Sequence, residues 1–216
     1  MKLSLTLFLS ILMLSASFLG TSLIRASYSY SAPRDYVHKI VAGESAGSAI
    51  VIAPGYALTA AHVVRGEAPL FINGLKVVSK WFDVHKDLGL VYIPGLECPC
   101  APLADGFPLQ DTPIVTVGYP MGKVQYATEG RVQEVANENI PRLYVSSPVI
   151  FGNSGGGTFQ WSWVHGWELV GVLVEVEGFT PFIQPYFITH MARIVPITTI
   201  HEFLKEKFPK EVHELE

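Results

Sequence analysis

Three side chains in this sequence are of the types that activate a hydroxyl for nucleophilic attack: Ser154, His62 and Asp87. The stretch VIFGNSGGGTF, residues 149–159, seats Ser154 between Gly152 and a run of Gly155, Gly156 and Gly157. A free hydroxyl is a weak nucleophile near neutral pH, so it needs a positioned base and a third group that holds that base in one tautomer. Glycines on both sides let the backbone fold tightly enough to aim amide N–H groups at one point, where a side chain would obstruct a carbonyl oxygen. The run also satisfies G-x-S-x-G, a pattern that calls for a strand, a sharp turn and then a helix. Here the serine is followed by glycines and then by β-branched and aromatic residues, so no helix starts. The best-placed histidine also precedes the serine, against the order that pattern requires.

That histidine is His62 in GYALTAAHVVRG. The strand-like YALTA runs into one short helical turn, and small Ala60 and Ala61 let the turn pack closely beneath the imidazole. The other histidines lack such a setting: His38 lies in a strand, His85 precedes a charged turn, His165 is in a hairpin, and His190, His201 and His213 are late and scattered. The acid is expected at Asp87 in HKDLGLVYI, where a carboxylate opens an apolar strand and that strand fixes its position. Asp83, in the more polar KWFDVH, is the competitor.

The elements that must position these groups are short β-type runs separated by Gly and Pro: SAIVIA, YALTAA, LGLVYI, PIVTVGY, RLYVSSPV and WELVGVLVEVE among them. Even spacing of many short strands predicts an all-β barrel or sandwich. One helix is expected near the end, where Ile200, Phe203, Leu204 and Phe208 recur at helical spacing and Thr199 with Glu202 forms a capping box. In FQWSWVHGWEL, Trp161, Trp163 and Trp167 crowd one hairpin, read as aromatics covering a barrel.

With 216 residues, half of them hydrophobic and 16% charged, the chain is long enough for one globular domain or two small lobes. A net charge of −4 and no run of Lys or Arg argue against a nucleic-acid partner. Residues 1–26 begin with Lys2 and then carry no charge from Leu3 to Ile24. This reads as an export signal ending near Ala26, or as an uncleaved anchor, since a span takes about 20 apolar residues. Either reading puts the remaining domain outside the cytosol. Cys98 and Cys100 are separated only by Pro99. A bridge there closes a very small ring, and two thiolates are too few for structural zinc, so free thiols are the expected state. No metal and no organic cofactor is implied.

With the order His, Asp, Ser in view, the chain resembles the chymotrypsin-fold serine peptidases, and within them the high-temperature-requirement (HtrA/Deg) branch. The resemblance rests on AGSAIVIAPGYALTAAHVV, DLGLVYI, VTVGYPMG, TEGRV and GNSGG, and covers roughly residues 36–208. It implies two packed six-stranded antiparallel β-barrels with a C-terminal helix, a boundary near residues 100–112, and a tail at 209–216. His62 and Asp87 would come from the first barrel and Ser154 from the second. The resemblance further implies an oxyanion hole from the backbone N–H groups of Gly152 and Ser154, aided by the turn at Asn153. Val174 and Val176 would form one wall of the primary specificity pocket, with Pro148 near its base. Protein or peptide substrates are implied, with an uncharged, apolar residue before the scissile bond.

The sequence also departs from that pattern. Phe151 stands where the branch commonly has proline, and no acidic residue lies near Ser146. No peptide-binding PDZ domain is expected after the terminal helix. KIVAG, residues 39–43, looks like an activation site, but Asn153 replaces the aspartate that would receive the new N-terminus, so no cleavage at Lys39 is expected. Glu175 and Glu177 would favour basic substrates if either faced the pocket. The alternatives to an endopeptidase are a silent binding or structural module on the same fold and an esterase using the same triad.

Overall fold

The computed structural model describes residues 31–136, 139–179 and 186–207. The leader at residues 1–26, Phe208 and the tail therefore lie outside the described residues. Among the described residues no helix is long and apolar enough to cross a membrane.

A short helix, α1 (Ser31–Tyr36), leads into β1 (Val37–Ala42), β2 (Ser45–Ala53) and β3 (Tyr56–Thr59). The one-turn α2 (Ala61–Val64) comes next, then β4 (Leu70–Ile72), β5 (Leu75–Lys76), β6 (Ser79–Asp83) and β7 (Leu88–Tyr92). These strands form one antiparallel sheet in the order β5-β4-β1-β2-β3-β7-β6. The expected closed barrel is here a seven-stranded sheet curled into a half-barrel. Its two edge strands do not pair, because β5 is only two residues long and the chain crosses the gap at Val77–Val78. Val77 N–H donates to Leu70 on one side at 3.0 Å, and Val78 N–H to Tyr92 on the other at 3.0 Å.

The second half is a closed barrel in the order β10-β13-β12-β11-β8-β9. Its strands are β8 (Pro113–Gly118), β9 (Tyr126–Ala136), β10 (Arg142–Val145), β11 (Gly157–Ser162), β12 (Gly166–Phe179) and β13 (Tyr186–Pro196). A 3₁₀ turn at Pro120–Gly122 joins β8 to β9. Alternation of apolar and polar residues fills both interiors, with Ile40, Ile50, Leu58, Leu90 and Ile93 fully buried in the first half and Phe159, Leu143, Leu169 and Ile194 in the second. The segment between β7 and β8 ties the halves together. Ala101 N–H donates to Val51 at 2.8 Å, while Leu169 N–H donates to Pro102 at 2.8 Å.

Helix α3 (Ile197–Lys207) buries Ile197, Thr199, Ile200 and Phe203. It starts earlier than the Thr199–Glu202 pattern indicated, directly after Pro196, so Thr199 is a buried residue of the first turn and caps nothing. His201 Nε2 lies 2.9 Å from the Ala104 carbonyl, and Lys86 Nζ lies 3.0 Å from Glu206, which fastens the helix to both halves.

The cysteines differ from expectation: Cys98 and Cys100 form a disulfide, with their Cα atoms 4.6 Å apart. Pro99 bends the intervening backbone far enough to bring the pair within the separation a bridge requires. Ile40 lies in the middle of β1, fully buried and paired to Gly47 on one side and Ile72 on the other. A cut after Lys39 would have to open that strand, which is the structural obstacle to activation there.

Candidate active site

His62 stands in the first turn of α2, which begins as soon as the extended Ala60 (φ −81°, ψ 143°) lets the chain leave β3. That helix is too short to hold itself, since it closes almost none of its own amides. Asp87 supplies what is missing. Its Oδ1 accepts the His62 backbone N–H at 3.0 Å, and its Oδ2 faces His62 Nδ1 at 2.8 Å. One carboxylate therefore caps the turn and orients the ring. With the Nδ1 proton given to Asp87, the Nε2 lone pair is the free basic atom. Both side chains are partly open, 35% for His62 and 24% for Asp87, so the ring can be reached from solvent.

Asp87 takes φ +53°, in the left-handed region that Asp tolerates better than most residues. Asp83 is engaged elsewhere, accepting the amides of His85 at 2.8 Å and Lys86 at 3.0 Å. Burial pushes its carboxyl up, but those amides and the neighbouring Lys86 charge together hold it below its ordinary value. It builds the turn that delivers Asp87 and does not touch His62.

Ser154 is clamped between the two halves. Its carbonyl accepts the Ser48 amide of β2 at 2.8 Å, and the next residue, Gly155, donates to Leu173 of β12 at 2.7 Å. Gly155 has φ +81°, and a Cβ there would collide with the Ser48 carbonyl and Thr59 Oγ1 and lie 3.0 Å from the Ala60 amide. Only glycine lets the serine loop come this close to the end of β3. Ala60 is two residues before His62, so the serine and histidine loops meet through this contact. No hydrogen bond joins Ser154 Oγ to His62 among the described residues, the looser arrangement common when no substrate is bound.

Gly152 is the second glycine whose freedom is used. At φ +89°, a Cβ would fall 2.5 Å from the Tyr119 carbonyl and 2.6 Å from the Met121 amide. Met121 N–H donates to the Phe151 carbonyl at 2.6 Å. A trans peptide is planar, so the Gly152 N–H points opposite to that carbonyl, away from the Pro120–Gly122 turn. Among the described residues neither the Gly152 nor the Ser154 amide donates to another group. Asn153, between them, is buried and closes a turn onto the Ile150 carbonyl at 3.2 Å.

Ser48 is a residue that sequence reasoning missed. Its hydroxyl donates to the Gly152 carbonyl at 3.0 Å and accepts the Tyr119 amide at 2.9 Å, so it holds the serine loop to the turn after β8. Its one signal is the small-residue run AGSA, which reads simply as a strand with no bulk.

Of the expected pocket residues, Pro148 lines a cavity of about 480 Å³ between the Pro120–Gly122 turn and the loop leading to Ser154. Val174 and Val176 lie on β12 beyond Leu173 and do not line that cavity. Arg193 draws in both nearby carboxylates: its Nη2 and Nε donate to Glu177 Oε2 at 2.6 and 3.0 Å, and its Nη1 lies 3.5 Å from Glu175. Arg193, chiefly by hydrogen bonding, holds Glu177 below its ordinary value. Among the described residues no cluster of His, Cys, Asp and Glu could hold a metal ion.

Residues 47–172, more than half of the chain, match the model of the trypsin-like peptidase domain family. Among solved structures, the active form of the Rv3671c protease from M. tuberculosis superimposes with a TM-score of 0.67 at 19% identity, over 81% of this chain and 82% of that one. The HtrA-type protease AlgW with tripeptide gives 0.66 at 21%, over 82% of this chain and 62% of that one. The serine endoprotease from Yersinia pestis gives 0.65 at 21%, over 83% and 66%. At these identities the likeness to solved structures is one of fold. No curated protein sequence matches the chain.

Proposed function

The chain belongs to the trypsin-like peptidase domain family and is a serine endopeptidase, and from that premise we propose that Ser154, His62 and Asp87 are its catalytic triad. The observation that carries this reading is the double contact of Asp87 with His62, 3.0 Å to its backbone amide and 2.8 Å to Nδ1.

In this mechanism His62 Nε2 takes the proton from Ser154 Oγ as the oxygen adds to the scissile carbonyl carbon. The carbonyl oxygen becomes an oxyanion, received by the Gly152 and Ser154 amides, whose aim depends on the turn at Asn153. His62 then gives its proton to the leaving amine, the C–N bond breaks, and Ser154 is left as an ester. Water enters, His62 takes one of its protons, and the resulting hydroxide displaces Ser154 Oγ, which recovers that proton. Asp87 keeps the ring in one tautomer and stabilises the imidazolium without taking its proton.

Protein or peptide substrates are proposed, with an uncharged, apolar residue before the scissile bond and Pro148, Val174 and Val176 about its side chain. The pairing of Glu175 and Glu177 with Arg193 supports that preference, because neither carboxylate is left to select a basic residue. The peptidase domain is taken as residues 36–208, with its two halves divided near residues 100–112. Residues 1–26 are proposed to carry it out of the cytosol, as a signal or an anchor.

The test is hydrolysis of a denatured protein substrate by the wild type and by Ser154→Ala and His62→Ala. Each substitution is expected to leave almost no turnover while preserving the fold by circular dichroism. Full activity in folded Ser154→Ala would remove the assignment.

A further inference from the structure

The cavity behind the serine loop has the volume of a small-ligand site and is not accounted for by the reaction. Its two walls are the turn after β8, with Met121, Lys123 and Val124, and the approach to the serine, with Pro148 and Ile150. Those walls leave apolar surface in water at one place: Met121 is 65% exposed, Val124 64% and Ile150 40%. Covering such surface is worth about 25 cal/mol per Å² of apolar area, so an apolar occupant is favoured. The lining carries a single charge, Lys123, which makes no ion pair among the described residues.

We propose that this cavity is an effector site for an amphiphilic carboxylate, a chain of apolar carbons ending in one negative charge, with the chain between Met121, Val124 and Ile150 and the carboxylate on Lys123. Charge chooses among amphiphiles here. An ammonium head would meet Lys123 with like charge, and a hydroxyl head would leave the lysine without a counter-ion.

The site's position gives it a consequence for the chemistry. Its walls carry the two partners of one hydrogen bond, the Met121 amide and the Phe151 carbonyl, 2.6 Å apart. That bond sets which way the Gly152 N–H points. A ligand gripping both walls holds the bond closed and keeps the amide aimed at the reacting oxygen. This effect on rate rests on the reading of Gly152 as an oxyanion donor, whereas binding does not.

Binding is therefore measured by calorimetry on the full chain carrying Ser154→Ala, with decanoate, decanol and decyltrimethylammonium below their aggregation thresholds. Decanoate is expected to bind at least about tenfold more tightly than decanol, and the ammonium most weakly. Lys123→Gln should bring decanoate and decanol within about twofold of each other. Val124→Trp, a surface change that fills the cavity, should weaken decanoate and decanol about tenfold. Equal affinity for decanoate and decanol, or decanoate binding unaffected by Val124→Trp, overturns the site. In the active chain, saturating decanoate should raise peptide hydrolysis, and Val124→Trp should abolish the response. Binding with no change in rate would overturn the coupling to Gly152. A chain without hydrolytic activity that still binds decanoate through Lys123 would count against the triad and leave the site standing.

Discussion

Asp87 holds His62 twice, through the backbone amide at 3.0 Å and through Nδ1 at 2.8 Å, so one carboxylate both starts the α2 turn and fixes the ring at its head. Cap and orienter are usually separate groups. Here removing the charge acts on both.

Asp87→Asn is accordingly expected to lower turnover by about 10⁴-fold, because an amide NH₂ favours the wrong imidazole tautomer. Asp83→Asn should leave turnover within a few-fold of wild type and act on stability instead. Asp83 has a folded-state pKa below its unfolded value, so its contribution is present above the ordinary carboxylate pKa of about 3.9 and is lost as pH falls through the folded value. Acid denaturation profiles of the Asp83→Asn variant should lack that loss. A larger loss of turnover in Asp83→Asn than in Asp87→Asn would reverse the assignment.

Ser48→Ala removes the hydroxyl that joins the Gly152 carbonyl to the Tyr119 amide. Two polar groups then lose a partner, at about 1–3 kcal/mol for each that stays dry. The loop carrying the oxyanion amides loosens, so kcat should fall about tenfold with KM nearly unchanged. Ser48→Thr keeps the hydroxyl and should restore part of the rate if its methyl is accommodated. An unchanged kcat in Ser48→Ala would show that the bridge plays no part in aiming Gly152.

Arg193→Met leaves Glu175 and Glu177 without their cation. The partly exposed pair is worth about 1 kcal/mol, so kcat/KM for a basic residue before the scissile bond, relative to leucine, should rise roughly fivefold. The activity ratio measured with paired lysine and leucine substrates checks this. An unaltered ratio would place both carboxylates outside the reach of substrate.

Much of this arrangement is legible without coordinates, and the reason is local. T-A-A-H reads as a strand ending in a tight turn because alanine permits both, and Asp87 opens an apolar strand whose partner strands are equally regular. The serine loop is legible because its glycines do nothing else well. What escapes reading is long-range. The Ser48 hydroxyl meets a carbonyl far along the chain, and no neighbouring residue announces it. The open edge of the first sheet comes from a two-residue β5, too short for periodicity to register. α3 begins at Ile197 because Pro196 stops β13 there, whereas the Thr199–Glu202 pattern imitates a start one turn too late. The Cys98–Cys100 bridge depends on how Pro99 folds the backbone, a geometric fact that residue spacing alone argued against.

The central claim is that one hydroxyl among the many serines of this chain is made nucleophilic by its setting. It is tested most directly by treating the folded protein with a fluorophosphonate and locating the adduct by peptide mass spectrometry. The expected result is a single phosphonylated peptide modified at Ser154, absent from Ser154→Ala and greatly slowed in His62→Ala. An adduct on another serine, or labelling that persists undiminished in Ser154→Ala, would contradict it.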